Sequence, residues 1–161
     1  AQADLLGEVA AAKKAVGLDA LGGTLVLGVT ETLMMNDPER AAATLGRLKE
    51  LGVEIALDDF GTGYSSMAYL KTFPVDVIKI DRSFVSGIDG DPRNQAIVRA
   101  VTDLGHGLGL EVLAEGIETE GERAVLARIG CDLAQGYLFG RPMPAGELTA
   151  VLEAQSRPER D

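Results

Sequence analysis

The chain has 161 residues, 46% of them hydrophobic, which is one ordinary domain with enough apolar material for a real core. A formal net charge of −10 argues against a nucleic-acid polymer as partner, because phosphate contacts need a basic face. It leaves room for a small phosphorylated ligand where a bound metal inverts the local field.

Cys131 is the single cysteine, so no intrachain disulfide forms and a reducing compartment fits. No window approaches the ~20 apolar residues of a membrane span, and no basic leader opens the chain. Together these read as a soluble, cytoplasmic domain.

In chain order, residues 4–16 carry apolar positions at helical spacing, and Gly22 and Gly23 follow. Residues 24–30 (TLVLGVT) read as a buried strand ending at Glu31. Asn36 or Asp37 caps a helix from Pro38 to Leu51, closed by Gly52. Residues 53–57 form the next strand, which delivers Asp58 and Asp59. Ser65 and Ser66 open a short helix to about Thr72, and the strand 75–80 (VDVIKI) carries Lys79, with Asp81 next. Asp91-Pro92 opens a helix over 93–108. The strand 110–114 then has Glu115 and Glu118 at its end.

Thr119 with Glu122 is a capping-box pattern for a helix to about Ile129. The last strand lies within 131–139 and carries Gln135, and a final helix spans 145–154. One helix followed by five βα units predicts a parallel α/β sheet covered by helices. Residues 1–155 form the domain, with 156–161 a polar tail. Each helix is amphipathic in the ordinary way, and none needs a membrane or a partner to explain it.

In such folds chemistry collects at the carboxyl ends of the strands. Here successive ends offer Glu31, Asp58 and Asp59, Lys79 and Asp81, Glu115 and Glu118, and Gln135. Glu31, Asp81 and Glu118 read equally well as helix caps or surface acids. Lys79 is different, because an unpaired ammonium inside an apolar strand is expensive, so it should point into the ring of carboxylates. Hard oxygen ligands of this kind suit Mg²⁺ or Mn²⁺ and support metal-assisted hydrolysis of a phosphoryl ester. His106 reads as structural or surface, Cys131 as core, and Met34, Met35, Met67 and Met143 as packing residues.

The segments VTET at 29–32, DDFGTGYSS at 58–66, LKTFPVDVIKIDRSFV at 70–85, AEGIET at 114–119 and QGYLFGRPMP at 135–144 resemble the later part of an EAL domain. That family comprises bacterial phosphodiesterases that linearise cyclic di-GMP to pGpG on a (β/α)₈-type barrel. The resemblance implies a partial TIM-type barrel of about five parallel βα units. It implies a metal-bridging role for Asp58, second-metal ligation by Asp59 and Glu115, and a place beside the attacking water for Lys79. It also implies that Glu31 positions the DDFGTGYSS loop, that Gln135 and Glu118 lie toward the substrate, and that the protein dimerises.

Two departures from the family pattern bear on activity. The family's Glu-Ala-Leu strand and its Asn-Val-Ser strand have no counterpart in the sequence. Where the family reads Glu-Ile-Thr-Glu, this chain reads Gly28-Val29-Thr30-Glu31, so a metal-ligating Glu is Gly28. The implied Mg²⁺ or Mn²⁺ is then weakly held or lost, and the expectation is a truncated, catalytically impaired domain. The alternative is a degenerate domain that binds cyclic di-GMP or a protein. With five βα units the first and last strands become sheet edges, which self-association or a companion chain would cover.

Overall fold

The computed structural model describes residues 5–17, 23–30, 32, 36–61 and 70–155. Five strands form one parallel sheet in the order β1-β2-β3-β4-β5, each beside its neighbour in sequence. The strands are β1 (Leu25–Thr30), β2 (Val53–Phe60), β3 (Val77–Ile80), β4 (Glu111–Glu115) and β5 (Leu133–Gln135). The helices are α1 (Leu5–Val16), α2 (Pro38–Glu50), α3 (Arg82–Val85), α4 (Pro92–Gly107), α5 (Glu120–Ile129) and α6 (Ala145–Gln155). A 3₁₀ turn at Ile88–Gly90 links α3 to α4.

The helix starts follow from local chemistry. Asp37, not Asn36, caps α2 by accepting from the Arg40 amide, with Pro38 in the first turn where its missing N–H costs nothing. Asp91 caps α4 through the Arg93 and Asn94 amides. At α5 the capping box closes in both directions between Thr119 and Glu122.

Two core clusters fill the space between sheet and helices. One gathers Leu45, Leu48, Ile55, Leu57, Phe73 and Ile78, and the other gathers Ile80, Val85, Ile88, Val98, Val112 and Leu126. The central strands are therefore apolar, as a sheet covered by helices requires. β1 alternates between half-buried and exposed positions, and β5 is exposed throughout.

A three-point clamp recurs at the amino ends of the strands. The Asp76 amide donates to the Ile55 carbonyl at 2.9 Å, its carboxylate accepts from the Ile55 amide at 2.8 Å, and Lys49 from α2 neutralises it at 2.6 Å. Asp132 repeats the pattern on Val112, with distances of 3.1 and 2.8 Å, and His106 from α4 stands in for the lysine at 2.9 Å. Each clamp pins a strand to its neighbour at the end away from the candidate site.

Several expectations change. β2 runs to Phe60, so Asp58 and Asp59 lie in the strand rather than beyond it. Asp59 takes a left-handed conformation (φ 58°), and the pairing with β3 is irregular between Leu57 and Phe60, the signature of a bulge. α3 and the 3₁₀ turn are additional, nucleated where the Asp81 carboxylate accepts from the Ser83 amide at 2.9 Å. β5 is only three residues long because the chain turns at Gly136, where it packs on the Ile117 backbone so closely that a Cβ would overlap it.

Met143 and the described side chains of α6 are exposed, so Met143 does not pack in a core, and Leu148 and Val151 have no cover. The short helix expected from Ser65, together with Met34, Met35 and Met67, lies outside the described residues apart from its last turn at 70–72. No helix among the described residues is long and apolar enough to cross a membrane.

Candidate functional site

The carboxyl ends of β2, β3 and β4 bring Asp58, Lys79 and Glu115 together, as the position of Lys79 in its strand predicted. The Lys79 ammonium lies 2.5 Å from Glu115 Oε1 and pairs on its other side with Asp58 Oδ1. All three side chains are half-buried. Burial alone would push the Lys79 pKa down, but the hydrogen bonds and charges of the two carboxylates outweigh it and hold it above its ordinary value. Asp58 Oδ1 is itself buried and takes no hydrogen bond of regular geometry, so its charge is met by the ion pair with Lys79.

Gly28 of β1 flanks this row. A Cβ at that position would overlap Asp58 Oδ2, with Asp58 Cγ 3.2 Å away. On the far side, Glu115 is the register partner of Gln135 in β5. Gln135 is exposed, and beyond it the Arg141 guanidinium lies 4.6 Å over the Tyr137 ring. Asp59 is exposed, turned by the bulge. Glu31 lies outside the described residues.

Asp81 proves to be a cap. Its bonds to the Ser83 side chain and amide hold its carboxyl below the usual range. Glu118 is tied to Arg82 by an ion pair of 2.7 Å. Arg82 was not singled out by the sequence reading, and neither was the wider reach of Glu122. Beyond its capping box, Glu122 accepts the amides of Gly87 at 2.8 Å and Glu118 at 2.8 Å. The loop after β3 and the loop after β4 are thereby fastened together. The capping box was legible as a local spacing, whereas the bond to Gly87 spans 35 residues and leaves no local signal.

His106 is structural, as read, in its pair with Asp132. Cys131 is half-buried beside Thr102, and burial pushes its thiol pKa up, which suits a packing role.

The donors that the structure describes do not converge as a metal site. Among the described residues no group of three or more His, Cys, Asp or Glu is placed to hold an ion. The space between Asp58 and Glu115 is taken by the Lys79 ammonium. The acids are present, but in this arrangement their charge is met from within the protein.

A parallel sheet whose five strands lie side by side in sequence order, with helices between them and its charged row at the carboxyl rim, has the form of part of a TIM-type barrel. The chain belongs to the EAL-domain family, whose model matches residues 14–142.

Among its relatives is the bifunctional diguanylate cyclase/cyclic di-GMP phosphodiesterase MucR of Pseudomonas aeruginosa. It is 48% identical over 126 residues, which is 78% of this chain and 18% of MucR. The crystal structure of the EAL domain of Mycobacterium smegmatis DcpA matches with a TM-score of 0.84 at 39% identity, covering 98% of this chain and 70% of that one. Klebsiella pneumoniae BlrP1, in a manganese/cyclic di-GMP complex, matches with a TM-score of 0.77 at 35% identity, over 88% of this chain and 36% of its own. The chain thus spans under a fifth of MucR and 70% of the DcpA domain.

Proposed function

We propose that this chain is a catalytically impaired EAL domain that retains the lysine-centred half of a cyclic di-GMP phosphodiesterase site. The observation that carries this reading is Gly28, which stands where the family's motif has a metal-ligating Glu and so removes a donor from a site that must hold ions to activate water and stabilise the leaving oxygen. Beside it the Lys79 ammonium pairs with both Asp58 and Glu115.

In this reading Lys79 supplies positive charge toward a phosphoryl group. Gln135 and Glu118 lie toward the substrate, and Asp58, Asp59 and Glu115 are the remnant of a site at which Mg²⁺ or Mn²⁺ is held weakly or not at all. Glu31 is assigned to positioning the loop after β2. A second reading, a degenerate domain that binds cyclic di-GMP or a protein without turnover, is favoured by the same self-neutralised row. Both readings place the protein in the cytoplasm. Cover of the edge strands, by self-association or by a companion chain, is supported by exposed Val26 on β1 and by Leu133, Tyr137 and Phe139 at and beyond β5.

The test is incubation of the purified chain with cyclic di-GMP and Mg²⁺ or Mn²⁺ while linear product is followed. No product above background is expected. Product that disappears in Asp58→Asn would overturn the impairment. Calorimetry with cyclic di-GMP then divides the second reading: heat of binding supports a cyclic di-GMP-binding domain, and no heat leaves only a protein-interaction role.

A further inference from the structure

Gly28 lies in the middle of an edge strand, where a glycine ordinarily weakens pairing and signals the close approach of something else. Its backbone is not in the left-handed region, so the conformation itself does not require glycine. What approaches is a single side chain. The three atoms nearest to a Cβ built at 28 all belong to the Asp58 carboxylate, with Oδ2 in overlap, Cγ at 3.2 Å and Oδ1 at 3.5 Å. The same carboxylate uses Oδ1 to pair with Lys79, which also holds Glu115.

We infer that Gly28 is a positioning residue for Asp58. The absence of a side chain at 28 provides the seat in which the Asp58 carboxylate lies against β1 while pairing with Lys79. The Asp58 side of the ion-paired row then depends on position 28, because a Cβ there meets Oδ2 and the carboxylate must turn away from β1 to make room for it. A carboxylate held this way is committed to Lys79. The inference deepens the functional reading above and rests on it for its meaning, since only there does the availability of Asp58 matter.

The physical claim is tested without ligand, metal or turnover. Gly28→Ala adds one methyl group to an extended strand, where it would normally be neutral or stabilising. If Asp58 occupies the space, Gly28→Ala lowers the thermal midpoint by about 3 °C or more in the wild-type background. The same change costs nothing in an Asp58→Ala background, where the obstacle has been removed. An equal loss in both backgrounds, or no loss in either, would overturn the inference.

Should Gly28→Ala alone fail to fold, the Gly28→Ala/Asp58→Ala double variant decides. Folding with the midpoint of Asp58→Ala supports the seat, and failure of the double variant overturns it. Trace acylation read by mass spectrometry adds a readout that a general packing defect would not move. The Lys79 rate rises in Gly28→Ala relative to Lys49, whose partner Asp76 lies at the opposite end of the sheet. An unchanged Lys79 rate in the folded variant counts against the inference. Failure of this cycle leaves the turnover and binding assays to judge the functional reading separately.

Discussion

The Glu122 carboxylate accepts the backbone amide of Gly87 at 2.8 Å, joining the start of α5 to the turn after α3. Its other oxygen serves the Glu118 and Thr119 amides, so one nearly buried side chain satisfies three backbone donors on two loops. Both loops leave strands that carry site residues, β3 with Lys79 and β4 with Glu115. The geometry of the candidate site therefore depends on a residue that does not enter it.

Removing that acceptor should be costly. Glu122→Ala leaves three amides without a partner and is expected to lower stability by about 2–4 kcal/mol. Hydrogen exchange should accelerate first at Gly87, Glu118 and Thr119. Burial raises the Glu122 pKa, but the three amides and the Thr119 hydroxyl outweigh it and leave it below the ordinary 4.5. Because the folded-state pKa is depressed, this contribution is present above 4.5 and is lost as pH falls through the folded value. Acid titrations of wild type and Glu122→Ala should accordingly converge at low pH, and a constant gap between them would contradict the assignment.

Lys79 gives the opposite sign. Its folded-state pKa is raised above 10.5, so its stabilisation is present below that value and is lost as pH rises through the folded value. Lys79→Met leaves Asp58 and Glu115 facing each other without a counter-charge. Because the group is half-buried and partly screened, a loss of about 1–3 kcal/mol is expected, less than for a fully buried pair. Denaturant midpoints between neutral and strongly alkaline pH should fall for wild type more steeply than for the variant.

The repeated clamps at the base of the sheet invite a direct comparison. Asp132→Ala strips an acceptor from the fully buried Val112 and should cost about 1–2 kcal/mol, whereas His106→Ala removes only an exposed partner and should cost about 1 kcal/mol or less. Desolvation raises the Asp132 pKa, but His106 and the Val112 amide more than offset it and leave it below 3.8. The Asp132 contribution thus persists above 3.8 and is lost below it as the carboxylate protonates. Urea melts of the two variants at pH 7 and pH 3 would check both the ranking and the sign.

Among the described glycines, Gly136→Ala is the harshest single-methyl change. A Cβ there would fall within the Ile117 backbone, 2.7 Å from its carbonyl carbon, and a backbone cannot rotate away as a side chain can. A loss of about 3 kcal/mol or more is expected, with β5 released from β4. A thermal midpoint close to wild type would contradict this packing.

Much of the fold could be read along the chain. The strands from Val53, Val77 and Glu111 declare themselves because a sheet covered by helices leaves its central strands apolar, and that is a local compositional signal. Asp37, Asp91 and Thr119 cap helices at the places their types and spacings indicate, since capping bonds reach only two or three residues. Lys79 announced its carboxylate partners because an ammonium in an apolar strand has few alternatives. Asp81 could be read as cap or site acid, and only the position of the Ser83 amide decided between them.

The order of the strands, the family and the residue types at the carboxyl rim follow from short-range pattern along the chain. The pairing of those residues with one another follows from contacts made across the fold. That Asp58 and Glu115 share one ammonium depends on three strands meeting in register. That Gly28 makes room for Asp58 depends on two side-chain positions converging between β1 and β2, which no spacing along either strand encodes. That Glu122 binds Gly87 depends on a loop closure of 35 residues. Ion pairing and exclusion act through space over a few ångströms, so the residue types were visible in the chain while their partners were not.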